Sequence, residues 1–388
     1  MAAKKPKRKR TNAPGEKAAP KDKGNFISEW FGHRVYPIVR DTSGSRADQG
    51  RQTCPFLSAA TGASRQCIKS EASKGVCTIS SPSNARRQDW LACPYRGLSP
   101  ELLDLAVRRL YGTATHAILF ITPAIRLADQ ATRTDVAERL ACGERIFVYF
   151  DKNLGGELSI PGTARSPEFS FDVTMFEIHL EGGVPHVGRF AVLEIQTADF
   201  HGSYRTATRN LIEGRRMHGV KFAKTLQDNQ RWLGEKVEGP NIANVFKRTF
   251  YQMMFKFQLG KHELCAGCVL AIPSSVWDSW QRHLASPSLT QEADGSFNLL
   301  KPGAPRPANV PAWIFVFEID SASTVTPNPL IFSKIIATDA ASASYYALEE
   351  APAAALANIG ASAGLFGLMA RRLASLWPDL ARTIKFDA

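Results

Sequence analysis

Glu168–Leu180 (EFSFDVTMFEIHL) and Arg189–Gln196 (RFAVLEIQ) decide the fold. Both alternate polar with apolar residues, the signature of strands whose side chains point to opposite faces in turn. In the second, Glu194 and Gln196 share one face, while Leu193 and Ile195 turn into the apolar layer. In the first, Ser170, Asp172 and Thr174 stand opposite Phe169, Phe171 and Val173. If these strands pair, Asp172 and Glu194 meet. Acidic groups on a half-buried sheet are costly unless paired or metal-bound, so such a pair is a natural seat for Mg²⁺ and phosphoryl chemistry. Spacing alone leaves open the alternative that the two acids are unrelated, solvent-facing residues.

Around these strands the pattern is that of an α/β domain. Ser99-Pro100-Glu101 supplies an N-cap, a first-turn proline and an early acid for a helix to about Leu110. His116–Thr122 and Arg145–Asp151 read as strands, with an amphipathic helix over Leu127–Ala141 between them. Tyr204–Phe257 reads as largely helical. Within it Phe246, Phe250, Met253, Met254 and Phe257 recur at helical spacing and predict a buried helix, in the core or between subunits. Cys268–Pro273 and Trp313–Asp320 complete the expected strands. Ser286–Ala312 reads as loops or an insertion, and the Ala-rich stretch 339–372 as peripheral helices. The expected organisation is a basic arm (1–24), a small irregular cysteine-bearing domain (25–98), an α/β core with recognition elements (99–320) and peripheral C-terminal helices (321–388).

A chain of 388 residues, 44% hydrophobic, has enough apolar surface for a substantial core. The formal charge is +12, and residues 1–24 carry nine Lys or Arg against two acids. That arm is too poor in apolar residues to order itself and predicts a polyanionic partner, nucleic acid first. A tail of this kind explains its PKRKR run as well as a nuclear-localisation signal does. No segment reaches the roughly twenty apolar residues of a membrane span, which predicts a soluble intracellular protein.

Residues 42–97 are rich in Gly, Ser, Pro and Cys with little periodicity, so something other than a core is expected to hold them. Cys54, Cys67, Cys77 and Cys93 follow at intervals of 13, 10 and 16 residues. In an intracellular protein such clustering points to a metal held by thiolates, zinc or iron, against the alternative of unrelated buried cysteines. Cys265-Ala266-Gly267-Cys268 has no second pair nearby and reads as a free, partly buried pair; Cys142 reads as a packing residue.

The order of blocks resembles the NotI/EagI family of Type II restriction endonucleases. The matching stretches are NFISEWFGHRVYP, TCPFLSAA, the cysteine intervals, LGGELSI, SPEFSFD, VLEIQTADFHGSYR, EGPNIANVFKRTFYQ and AIPSSVWDSWQRHLA, in order from about Asn25 to Ile319. The resemblance implies a PD-(D/E)-x-K restriction-endonuclease-like core, a mixed sheet flanked by helices with the metal site at its edge. Asp172 matches the first acid and Glu194 the second, and Gln196 stands where most such nucleases keep a lysine. Glu157 matches a further acidic position. The family places iron in the four-cysteine site, as a structural centre. It further implies a prokaryotic cytoplasmic enzyme, cutting double-stranded DNA at a GC-rich palindrome with a GGCC centre (CGGCCG or GCGGCCGC type), in a host with a separate protecting methyltransferase.

On this reading Asp172 and Glu194, with Glu157 and the Ile195 carbonyl as further ligands, hold Mg²⁺ for phosphodiester hydrolysis, and Gln196 orients water or phosphate. DNA contacts are expected from His201, Tyr204 and Arg205 after the acidic strand, and from Asn241, Lys247 and Arg248 at the aromatic helix. A palindromic target calls for a homodimer. Two other readings stand beside this one: a non-catalytic DNA-binding regulator with a structural metal site, and a repair nuclease of the same fold.

Overall fold

The computed structural model describes residues 24–83, 86–357, 359 and 364–382. The basic arm lies outside them, Gly24 excepted. The architecture is mixed α/β. A nine-stranded mixed sheet runs in the order Thr290–Gln291, Phe297–Asn298, Leu330–Thr338, Ala312–Ile319, Cys265–Pro273, Val184–Ile195, Val173–Glu181, Arg145–Phe150, Leu119–Pro123. Its centre is parallel, Val184–Ile195 beside Cys265–Pro273 beside Ala312–Ile319, with antiparallel neighbours on both sides.

Both faces of this sheet are covered, so its central strands are apolar on both sides. On one face Leu193, Ile195, Val269, Ala271 and Phe315 pack under the Pro100–Leu110 helix, which buries Leu102, Leu103, Ala106, Val107 and Leu110 as its spacing predicts. The Ser99 hydroxyl caps that helix by accepting from the Leu102 N–H at 3.2 Å. On the other face Val192, Leu270, Ile272 and Ile314 lie under the long Ile242–Leu259 helix through Val245, Phe246, Met253 and Phe257. The buried aromatic helix is therefore a core element of the chain itself.

Three expectations are corrected. The stretch 42–97 is ordered by ordinary secondary structure. It contains the Ser43–Arg51 and Pro55–Thr61 helices, and its Val76–Ser83 and Arg86–Leu91 strands complete a four-stranded antiparallel sheet with Phe26–Trp30 and His33–Arg34. The core of that sheet (Ile27, Trp30, Val76, Ile79) is closed by Ala207, Leu211, Phe222, Leu226 and Leu233, which arrive from more than a hundred residues downstream. Local periodicity cannot reveal a partner supplied from so far away. Second, Glu168–Leu180 is not one strand: Phe169–Ser170 pairs with Ser159–Ile160 in a separate ribbon, and the main sheet resumes at Val173. Third, the boundary at 320 falls inside the sheet, because Leu330–Thr338 pairs along its length with Ala312–Ile319. Only the segments after it form the expected Ala-rich helices, Ala340–Tyr345 and Ala351–Leu356, followed by Leu365–Leu376. Among the described residues no helix is long and apolar enough to cross a membrane.

The two sheets are joined by a buried ion pair. Arg96 Nε and Nη2 donate to the two Glu29 carboxylate oxygens at 2.6 and 3.0 Å, and Nη2 also donates to the Asn328 carbonyl at 2.7 Å. Both side chains are almost wholly excluded from water, 2% and 0% exposed. Removing one partner strands a charge, so Arg96→Ala is expected to cost about 3–5 kcal/mol. Urea denaturation checks this, and a loss below about 1 kcal/mol, the size of an exposed pair, refutes the role given to the clamp.

Candidate active site and cysteine cluster

Antiparallel pairing brings Val173 opposite Leu193, so the next step outward sets Asp172 beside Glu194. Hydrogen bonds from the neighbouring segment's backbone hold both carboxylates. The Asp172 N–H donates to Glu194 Oε1 at 3.2 Å, and the Ile195 N–H donates to Asp172 Oδ2 at 3.0 Å. The strand break at Phe171 frees these backbone groups from the ladder and turns them to the carboxylates. Both acids line a cleft of about 230 Å³ with Gln196, Thr249, Arg248 and Lys256 among its walls.

The sequence reading missed Lys256. It lies on the buried side of the long helix, with its Nζ 2.6 Å from Glu194 Oε2 and its side chain 5% exposed. Its ammonium also sits 5.5 Å from the centre of the Phe171 ring. A signal was present: Val245, Thr249, Met253 and Lys256 follow at helical spacing, placing a lysine on an apolar stripe.

Burial raises the Glu194 pKa to about 8, and the neighbouring Asp172 charge adds to the rise; the Lys256 ammonium opposes both without cancelling them. Asp172 lies at an exposed rim, yet enough protein surrounds its carboxyl that burial also raises its pKa, against the Ile195 N–H and the Lys256 charge. Glu157 is exposed beside the cleft, not within it. It lines an open depression with Ser159, Glu168 and Ser170, near enough for its charge to act on Asp172. The Gln196 amide is engaged at both ends: its oxygen accepts from the Thr249 hydroxyl and its nitrogen donates to the Thr197 carbonyl.

The two segments expected to meet DNA come together at the mouth of this cleft. Phe200 bridges Pro240, the His201 N–H donates to the Gly239 carbonyl at 3.3 Å, and the Asn241 N–H donates to the Asp199 carbonyl at 2.6 Å. His201 and Arg205 are exposed; Lys247 is exposed too, but it lies outside the cleft lining and its charge acts on His283. Arg248 pairs with the Asp199 carboxylate while remaining 72% exposed. Tyr204 is placed differently. Its hydroxyl accepts from Lys69 Nζ at 3.4 Å and its ring meets Phe200 edge-on, so it belongs to the junction with the cysteine region.

Each of the four front cysteines receives backbone N–H groups at sulfur. Gly32 donates to Cys77 at 3.3 Å and Gly75 to Cys67 at 3.4 Å. Phe56 and Leu57 serve Cys54, and Tyr95 and Arg96 serve Cys93, because both cysteines precede prolines that open short helices. Burial pushes the Cys54 thiol up to about 12, with the charges of Cys93 and Cys67 acting in the same sense. It also raises Cys77, on which Cys93 and Cys54 act. The four sulfurs thus share one electrostatic neighbourhood, and N–H donors at sulfur suit thiolate ligands. As the side chains stand, no group of three or more His, Cys, Asp or Glu among the described residues could hold a metal ion.

Cys265 and Cys268 are more buried than expected. One extra residue in their strand, where Phe190 and Val192 face Cys265 and Cys268, turns both to one face. The Cys268 thiol donates to the Lys256 carbonyl at 2.7 Å. Cys142, expected to pack, is exposed at a helix end.

The raised Glu194 pKa has a consequence for stability. Between its ordinary 4.5 and about 8, the folded metal-free protein keeps a proton that the unfolded chain releases. The associated stabilisation is full below about pH 4.5 and is lost as pH rises through 8. Relative to Glu194→Gln, the wild-type unfolding free energy in chelator is expected to fall across this window, by up to about 1.4 kcal/mol per pH unit. A difference that stays flat with pH in urea melts refutes the assignment.

The chain matches no family model and no curated protein.

Proposed function

We propose that the chain is a Mg²⁺-dependent Type II deoxyribonuclease of the PD-(D/E)-x-K kind, acting as a homodimer on a GC-rich palindrome with a GGCC centre. The observation that carries this reading is the meeting of Asp172 and Glu194, tied by the Asp172 N–H to Glu194 and the Ile195 N–H to Asp172, in a cleft with the exposed Arg248 in its wall. Asp172, Glu194 and the Ile195 carbonyl would hold the ion, with Glu157 as an adjacent acid. All are hard oxygen donors, a fit for Mg²⁺. Bound there, the ion supplies activation of water and stabilisation of charge on the phosphate and the departing 3′ oxygen.

The chain's own residues position the rest. The cross-strand hydrogen bonds fix the two carboxyl groups before any ligand arrives, which lowers the cost of organising the site. Gln196, oriented by Thr249, offers an amide that orients water or a phosphate oxygen but takes up no proton. The edge built from residues 199–205 and 239–248 presents His201, Arg205, Asn241, Lys247 and Arg248 for backbone and base contacts. The four cysteines would hold iron or zinc as a structural centre beside the cleft, which requires their side chains to turn from the present arrangement into one ligand group. The setting that goes with this activity is a prokaryotic cytoplasm with a separate methyltransferase protecting host DNA.

Digestion of a sequenced genome-length DNA with Mg²⁺, followed by reading the fragment ends, tests the activity and gives the target. Discrete ends at one palindrome are expected. Asp172→Asn and Glu194→Gln should still shift the same DNA in a gel and lose about 10²-fold or more in cleavage rate; normal cutting by either overturns the site. For the cysteine centre, elemental analysis of the purified protein is expected to find about one iron or zinc per chain, and Cys77→Ser to lose both metal and thermal stability. A metal-free wild type of unchanged stability refutes that centre.

A further inference from the structure

We propose that Lys256 is the built-in counter-ion of this site: its ammonium neutralises the Asp172–Glu194 pair in the resting protein and sets how tightly the pair takes a divalent cation. The inference rests on the reading of these two acids as a metal site and adds a control on its occupancy. Two carboxyl groups held across the strands, Glu194 by the Asp172 N–H and Asp172 by the Ile195 N–H, cannot move apart to relieve their repulsion. Glu194 lies under the apolar helix, where water does little to screen it. Among the described residues Lys256 is the cation whose charge acts on both carboxyls, and it touches one of them at 2.6 Å. Arg248, also in the cleft wall, is held by Asp199 at the exposed rim.

The geometry fixes Lys256 firmly. Thr249 and Met253 precede it on the same cleft wall, the Phe171 ring lies beside the ammonium, and the Cys268 thiol anchors its own carbonyl from the sheet. A divalent ion entering between the carboxyls meets twice the repulsion from this ammonium that a proton meets, so the lysine weakens metal binding more than it weakens protonation. Once the ion is bound, the same ammonium faces the cleft as a fixed positive charge for the phosphate. Gln196 cannot supply that charge, because it is neutral and its amide is engaged. Lys256 is thus a positioning residue that acts on the metal through Glu194.

The test compares Lys256→Met, Lys256→Gln and Lys256→Arg by calorimetric titration of Mn²⁺ into the full chain without DNA, at mildly alkaline pH, beside Mg²⁺-dependent cleavage. Circular dichroism establishes that each variant is folded. The neutral variants are expected to bind Mn²⁺ about tenfold more tightly. They are expected to cut DNA about 100-fold more slowly at an unchanged KM, with Lys256→Arg keeping wild-type metal affinity and part of the rate. Unchanged or weaker Mn²⁺ binding in the folded neutral variant overturns the proposal, and so does wild-type cleavage by it. Either neutral substitution suffices if the other fails to fold. A wild-type chain that binds Mn²⁺ but cuts no DNA overturns the nuclease reading alone, since the affinity comparison stands without cleavage.

Discussion

The contact between Lys256 and Glu194 is the constraint around which the site is arranged. Lys256 and Glu194 sit beneath an apolar helix, with Asp172 beside them at the rim, and either buried charge alone would be costly there. Meeting that cost fixes the register of the Ile242–Leu259 helix on the sheet. As the strand runs outward from Glu194 to Gln196 and on to Asp199, the helix answers in reverse order with Lys256, Thr249 and Arg248. One helix thereby sets the counter-charge of an acid, the orientation of an amide and the rim of the cleft. The same buried side holds the core through Phe246 and Phe257, so a slip that relieved one contact would unpack the others.

A second set of constraints ties this cleft to the cysteine region through four consecutive residues. Cys93 belongs to the thiol cluster and Pro94 lines the acidic cleft. The Tyr95 hydroxyl donates to Asp151 at 2.7 Å, in the turn that leads to Glu157, and Arg96 clamps Glu29. The Leu91 carbonyl also accepts from the Ala198 N–H at 2.8 Å, just past the acidic strand. Order in the thiol cluster is therefore transmitted to the cleft wall by covalent neighbours, not by a flexible link. The Arg205–His218 and Phe222–Asp228 helices strengthen this union, because they leave the segment beside the cleft and return to close the core of the N-terminal sheet.

Elements whose burial is decided locally were legible in the sequence. The period of two in 189–196 placed Leu193 and Ile195 in one apolar layer and Glu194 on the other face, and the 3.6-residue period found the Pro100–Leu110 and Ile242–Leu259 helices. What escaped has a partner far away. The N-terminal sheet borrows its core from residues 207–233. Leu330–Thr338 reads weakly because its Ile331, Ser333 and Lys334 face outward while its other residues pack against Ala312–Ile319. The break at Phe171–Asp172 is invisible in a pattern that alternates straight through it. It comes from the short ribbon with Ser159–Ile160, which pulls Phe169 against the Phe255 ring, stacked at 3.5 Å. Lys256 carried a readable signal that a list of apolar positions passes over.

The distribution of charge gives these local facts a common logic. The chain is strongly basic overall, much of that charge lying in the sequence of its first 24 residues, and among the described residues Arg248 stands exposed in the cleft wall. On the proposed reading, a basic chain draws a polyanion in over a distance set by salt. Without Lys256 the floor of the cleft would have the opposite sign, since Asp172 and Glu194 would repel a phosphate that reaches them. Long-range attraction alone would leave the strand at the rim. The last step inward requires positive charge at the carboxyls themselves, and the buried site offers two sources of it, the Lys256 ammonium and whatever cation the acids accept. Because both compete for Glu194, strengthening either weakens the hold of the other, and the site works only while neither excludes its rival.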